Sequence, residues 1–445
     1  MKFDLLIRGG MVATPNGIVA ADVGVTGGRI AAFGALGAAT AAEIYDAKNL
    51  HVLPGVIDTQ VHFREPGSEH KEDLESGSRA AVLGGVTAVF EMPNTHPPTT
   101  TRAAIEDKLA RAKTRMHCDY AFYVGATPQN VGALAELERM PGVTGVKAFL
   151  GSSTGTLLLS EDDAILAALK GGRRRMAVHS EDEARLKERK VLAKPDDPRT
   201  HPFWRDVETA TRSTERVLRL AKAAGRRLHV LHVTTEEELP LLAAARDFAT
   251  VETTPQHLTL AAPECYERLG TYAQMNPPIR ESRHRDALWD AVRQGLIDVI
   301  GSDHAPHTRE EKEKTYPDTP SGMPGVQTLA TILLDHVNAG RMTLERFVDL
   351  TSAGAQRIFD IAGKGRIALG YDADFTIVDL KLKKKIENRW IASKCGWTPF
   401  DGMETTGWPV ATIIRGKTVM RNGALAAAWQ GAPIRFVETL TPSAA

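Results

Sequence analysis

The sequence predicts an α/β chain in which a (β/α)8 TIM-type barrel carries a small β-sandwich domain built from both chain ends. Three observations predict it. Eight short β-branched or apolar runs alternate with longer segments rich in Ala, Leu, Glu and Arg, glycine-punctuated strand patterns recur at both ends, and metal-ligand side chains cluster where the eight runs finish. At 445 residues the chain has room for one barrel and one smaller unit.

The first fifty residues place short strand patterns at 4–8, 11–13, 22–25 and 29–33, separated by glycine turns, which is the rhythm of antiparallel strands and hairpins. The same texture returns at 374–379, 411–416 and 418–423, so residues 1–51 and 366–445 are expected to form one composite unit. Residues 52–365 then form the barrel, with strands expected at 52–58, 87–92, 120–124, 143–150, 176–179, 228–232, 250–253 and 298–302. Strands alternating with helices imply parallel βαβ units, and eight such units close into a barrel.

Composition narrows the function. Lys and Arg number 55 and Asp and Glu number 55, so no net field exists to collect phosphates, and neither a nucleic-acid nor a membrane-surface partner is expected. A compact small-molecule substrate held by local charges fits better. Cys118, Cys265 and Cys395 are far apart and form no CxxC pair, which suits a reducing cytoplasm and excludes a thiolate zinc site. No stretch approaches the ~20 apolar residues of a membrane span, and the apolar run near the start is too short for a signal segment.

Barrel enzymes work where the strands end. The first run leads into Asp58-Thr59-Gln60-Val61-His62-Phe63-Arg64, the fourth carries Lys147, the fifth and sixth end at His179 and His232, and the eighth leads into Ser302-Asp303-His304-Ala305-Pro306-His307. Any one of these histidines alone reads as a hydrogen-bonded structural residue. Imidazoles and carboxylates converging on one mouth are what a divalent ion such as Zn²⁺ requires. Lys147 reads from spacing alone as a salt-bridged lysine at that mouth; the alternative is a neutral amine that adds carbon dioxide to become an anionic carbamate able to bridge ions.

At these residues the chain resembles the class I-like dihydroorotase branch of the amidohydrolase superfamily. The matching segments are His62-Phe63-Arg64-Glu65-Pro66-Gly67, Glu91-Met92-Pro93-Asn94-Thr95, Val146-Lys147-Ala148-Phe149, the His179 and His232 strand ends, Met275-Asn276-Pro277-Pro278-Ile279-Arg280 and Asp303-His304-Ala305-Pro306-His307. The resemblance implies that His62, Lys147 as a carbamate, His179, His232 and Asp303 hold a one- or two-ion zinc centre. It implies that Arg64, Asn94, Asn276 and His307 bind substrate and that the protein is a homodimer. It also implies reversible opening of the cyclic amide of dihydroorotate to N-carbamoyl-aspartate, a step of pyrimidine biosynthesis.

One departure matters. The family's usual strand-one pair is His-x-His, and here the first position is Gln60, whose amide oxygen is a weaker zinc ligand than an imidazole. The expectation is one tight ion held by Lys147, His179 and His232, with the second weak or absent. Asp303 is the expected acid–base residue, a pure ligand role being the alternative. Arg64 favours a substrate carboxylate over the uncharged edge of allantoin or hydantoin rings. The rival readings are therefore an allantoinase or dihydropyrimidinase, and an inactive dihydroorotase-like partner subunit that Gln60 would support. The charged stretch 307–324 reads as a mobile cover over the mouth or as a solvated loop.

Overall fold

The computed structural model describes residues 2–153, 155–426 and 430–440. Of the expected β unit, Met1, Ala427, Ala428, Trp429 and residues 441–445 lie outside the described residues. Five strands come first: β1 (Lys2–Thr14), β2 (Gly17–Thr26), β3 (Arg29–Gly34), β4 (Thr40–Asp46) and β5 (His51–Pro54). Eight barrel strands follow: β6 (Val56–Val61), β7 (Val86–Glu91), β8 (Asp119–Gly125), β9 (Val143–Phe149), β10 (Met176–His179), β11 (Leu228–Val230), β12 (Ala249–Thr253) and β13 (Val299–Ile300). The chain closes with β14 (Phe375–Lys385), β15 (Glu404–Ile414), β16 (Lys417–Arg421) and β17 (Ala424–Leu425).

β6 to β13 pair in chain order as one parallel sheet. Closure between the last and first strands is made beyond their ends, where the His62 amide donates to the His304 carbonyl at 2.7 Å and the Ser302 amide donates to the Asp58 carboxylate at 2.9 Å. These strands are buried along their whole length, because helices cover the outside and packed side chains fill the inside. The flanking helices take their limits from local chemistry. Asp206 accepts from the Thr209 amide to start Val207–Ala224, and Gly225, at φ +66°, ends it in the left-handed region.

Strands from the two ends of the chain form one nine-stranded mixed sheet with β5 and β14 adjacent at its centre. It wraps a core of its own in which Leu5, Ile7, Val25 and Val52 meet Phe375, Ile377 and Ile413. Two expectations are corrected here. The patterns at 4–8 and 11–13 are one strand, since Gly9 and Gly10 make a bulge within β1 rather than a turn. The sheet is not purely antiparallel, because β4 and β5 both run parallel to β1.

Beneath the barrel the chain returns: the Tyr120 amide donates to the Ala432 carbonyl at 3.1 Å, and Ile434 and Phe436 join Phe359 with Phe90 and Tyr123 of the barrel strands in an apolar plug. Barrel depth is thereby divided into an apolar floor and a polar mouth.

Candidate active site

The C-terminal strand ends bring Gln60, His62, Arg64, Asn94, Lys147, His179, His232, Asn276 and Asp303 into the wall of one cavity. The enclosed space among them is only about 20 Å³, far below the ~300–1,000 Å³ usual for ligand sites, because these side chains close on one another. His307 is the exception among the expected residues and stands behind Arg64. Phe149, Ser153, Ser321 and Gly322 also line the cavity and were missed from sequence. Phe149 was legible, since it lies two residues after Lys147 on one strand and so shares its face. Three site residues that are not glycine, Arg64 (φ +63°), His232 (φ +37°) and Asp303 (φ +45°), hold left-handed backbones. Such strain persists only where the surrounding fold enforces it, and it concentrates at functional sites.

The donors come as two pairs. His179 Nδ1 faces His232 Nε2 at 3.1 Å, and His62 Nε2 faces Asp303 Oδ1 at 3.3 Å. Among the described residues no three His, Cys, Asp or Glu side chains form a ready-made ion cage. Yet each separation is close to the roughly 3.3 Å edge that bonds of about 2.0–2.1 Å to a tetrahedral ion impose.

Second contacts fix which nitrogen carries the proton. His179 Nε2 donates to the Glu181 carboxylate at 2.8 Å, and His62 Nδ1 donates to the Asn94 amide oxygen at 2.7 Å, so the lone pairs of Nδ1 and Nε2 respectively face inward. Glu181 is itself gripped by Arg205 at 2.5 Å, and Arg205 and His179 together hold its carboxyl well below the usual range. Glu181 was missed from sequence, although its place two residues after His179 was a usable signal. Asn94, expected on the substrate, lines the cavity and also supports His62 through its oxygen.

Lys147 is not salt-bridged, which corrects the reading from spacing. Its ammonium nitrogen is buried with no hydrogen-bond partner, 4.5 Å from the centre of the Phe149 ring. Burial pushes it down to about 7 against the opposing charges of Asp303 and Glu252. His232 Nδ1 and Gln60 Oε1 are likewise buried and unpartnered. Unsatisfied donor and acceptor atoms gathered around two ligand-spaced pairs fit a divalent ion, and a lysine close to neutrality fits carbon dioxide uptake.

The chain matches two family descriptions, "Dihydro-orotase-like" over residues 50–238 and "Amidohydrolase family" over residues 210–419. A dihydroorotase of Halobacterium salinarum is 38% identical over 93% of this chain and 96% of its own.

The chain belongs to the amidohydrolase family.

Members of this family are generally metal-dependent hydrolases. The amidohydrolase is also 36% identical to an allantoinase of Rubrobacter xylanophilus, over 98% of this chain and 97% of that one. Among solved structures it resembles an L-hydantoinase (dihydropyrimidinase) from Arthrobacter aurescens, with a TM-score of 0.91 and 31% identity over 96% of this chain and 99% of that chain. Among the described residues no helix of this amidohydrolase is long and apolar enough to cross a membrane.

Arg64 carries the electrostatics of the cavity. It is 5% exposed, donates Nε to the Pro306 carbonyl at 3.2 Å, and has no carboxylate within 4.0 Å among the described residues. The acids next to it in sequence are engaged elsewhere: Glu65 with Arg115 at 2.7 Å, Glu72 with Ser76 and Ser393. Burial pushes Arg64 down to about 10. His307 Nδ1 accepts from the donor-only Lys71 ammonium at 3.2 Å, so His307 Nε2 carries the proton and donates to the Ser321 carbonyl at 3.1 Å. The Arg64 Nη2 contact with that same nitrogen at 3.3 Å is therefore not a filled hydrogen bond, and the guanidinium keeps donating capacity.

The stretch 307–324 is no loose lid. Its Lys312 ammonium is buried and donates to the Gln274 and Pro320 carbonyls at 3.1 and 3.0 Å, and Gln274 Nε2 returns a bond to the Thr319 carbonyl at 2.9 Å. Ser321 and Gly322 are thereby fixed in the cavity wall.

Proposed function

We propose that this amidohydrolase opens and closes the ring of dihydroorotate, with N-carbamoyl-aspartate as the open form. The observation that carries the reading is Arg64, a buried guanidinium at the cavity wall with no carboxylate within 4.0 Å among the described residues, the acids around it, Asp303, Glu91, Glu311 and Glu72, acting only from farther off. A buried cation is stable only beside an anion, and dihydroorotate brings a carboxylate that a guanidinium can bind through two parallel hydrogen bonds. Uncharged hydantoin and allantoin rings would leave Arg64 unpaired.

Lys147 as a carbamate, His179, His232, His62 and Asp303 would hold a zinc ion. When bound, the ion acidifies a water and draws charge from the scissile carbonyl. The chain supplies the rest. Asp303 accepts a proton from the attacking water and passes it to the ring nitrogen as the C–N bond breaks; the Gln60 amide holds the carboxylate in line for both transfers. Arg64 grips the substrate carboxylate. Asn276 adds a donor edge: its oxygen accepts from His201 Nε2 at 3.0 Å, which turns the NH₂ group toward the cavity and Ser153.

The test is the rate of dihydroorotate ring opening by protein supplied with zinc and bicarbonate, with Lys147→Ala as control. Turnover that the substitution abolishes supports the proposal. No turnover by a folded, metal-loaded sample, together with turnover of hydantoin or allantoin, would transfer the site to an uncharged ring.

A further inference from the structure

A second built site lies at the opposite end of the barrel, under the apolar plug. There Thr144 at the start of β9, Arg174 and Arg175 just before β10, and Arg227 just before β11 line a half-open cleft of about 350 Å³ walled by Phe359 and Phe436. The residues at this end ordinarily serve only to close strand ends, and part of the Arg174 and Arg175 guanidiniums does so. Arg175 donates Nε to the Ile358 carbonyl at 3.1 Å and Nη1 to the Leu228 carbonyl at 3.0 Å; Arg174 donates Nη1 to the Val143 carbonyl and Nε to Glu438 at 2.9 Å.

What remains unsatisfied is the informative part. Arg174 is 7% exposed and its Nη2 has no partner; Thr144 is 2% exposed and its hydroxyl has none either. Arg175 has no carboxylate within 4.0 Å among the described residues, and Arg227 reaches Asp360 only at 3.4 Å. Four arginines, Arg173 included, line the cleft against two acids, and Glu438 is shared with Arg139 at 3.3 Å. Burial and the neighbouring Arg227 push Arg175 down to about 10. Like charges crowded beside two orphaned donors are stable only when an anion completes them.

We infer that this cleft binds a phosphate monoester, its oxygens taken by Arg174, Arg175, Arg227 and the Thr144 hydroxyl and its organic body packed against Phe359 and Phe436. The arginine fork matches the oxygens and the rings supply the apolar contact. The site shares no residue with the mouth and does not depend on the substrate proposed there.

Calorimetric titration with phenyl phosphate and with inorganic phosphate tests it. Phenyl phosphate is expected to bind more tightly than inorganic phosphate, with an affinity that falls as salt rises. Arg227→Gln should weaken it about tenfold and Thr144→Val by a few-fold, while Lys147→Ala, which disables the mouth, should leave it unchanged. Absence of binding, binding indifferent to Arg227→Gln and Thr144→Val in folded protein, or binding lost in Lys147→Ala would overturn the inference.

Discussion

The Gln60 side-chain amide donates to Asp303 Oδ1 at 2.8 Å. A carboxylate only accepts, so the nitrogen of Gln60 must face it and the amide oxygen turns away, buried and unpartnered. Gln60 therefore anchors Asp303 through its nitrogen, and its free amide oxygen is a weaker ligand for an ion beside β6 than an imidazole. Purified protein should hold one tight ion per chain and Gln60→His should hold two. Elemental analysis after dialysis checks this, and two tight ions in the unsubstituted protein would refute it.

Arg64→Met should lower kcat/KM for dihydroorotate by about 10–100-fold, the worth of a charge-assisted contact. Turnover of an uncharged hydantoin should change far less. Equal losses on both substrates would mean that Arg64 serves the fold of the mouth.

Glu181→Gln and Asn94→Ala remove the partners that set the proton positions of His179 and His232's neighbour His62. Each should weaken metal affinity by about 10–100-fold. Competition against a chelator of known affinity measures this, and unchanged affinity would show that ring orientation is held by packing alone.

Asp303→Asn keeps the shape of the side chain and removes its basicity. If Asp303 moves the proton, the rate collapses while the metal content of the protein is retained. A parallel loss of both would reduce Asp303 to a ligand.

Lys312 is pushed down to about 7 by burial, against about 10.4 in an unfolded chain. Between those values the unfolded state binds more protons, so the contribution of Lys312 to stability rises with pH from about 7 to about 10.4 and is constant below 7. Urea unfolding of native protein and Lys312→Met at pH 6, 7.5 and 9 should show the difference moving in favour of the native protein as pH rises. A difference independent of pH would show that Lys312 titrates normally.

The sequence by itself determined the barrel and the identity of its mouth. Seven of the expected barrel runs became strands β7 to β13, and the first, 52–58, was divided between β5 of the end sheet and β6 of the barrel, because strands buried on both faces read as continuous apolar runs whichever sheet they join. His62, Lys147, His179, His232 and Asp303 were legible because the side chains at barrel strand ends must face the mouth. Tertiary structure alone decided how those groups are partnered. Spacing made Lys147 a salt-bridged residue, whereas the fold gives Glu252 to Thr59 and leaves the lysine alone. Pairing of β7 beside β6 brings the Asn94 oxygen onto His62, a contact that no local pattern announces. The long 307–324 segment looked loose because its anchors, Gln274 and Trp397, lie tens of residues away in sequence. Strand periodicity is a local property of the chain, but a hydrogen-bond partner is chosen by which residues the closed barrel brings within about 3 Å, and that distance is written nowhere in the sequence.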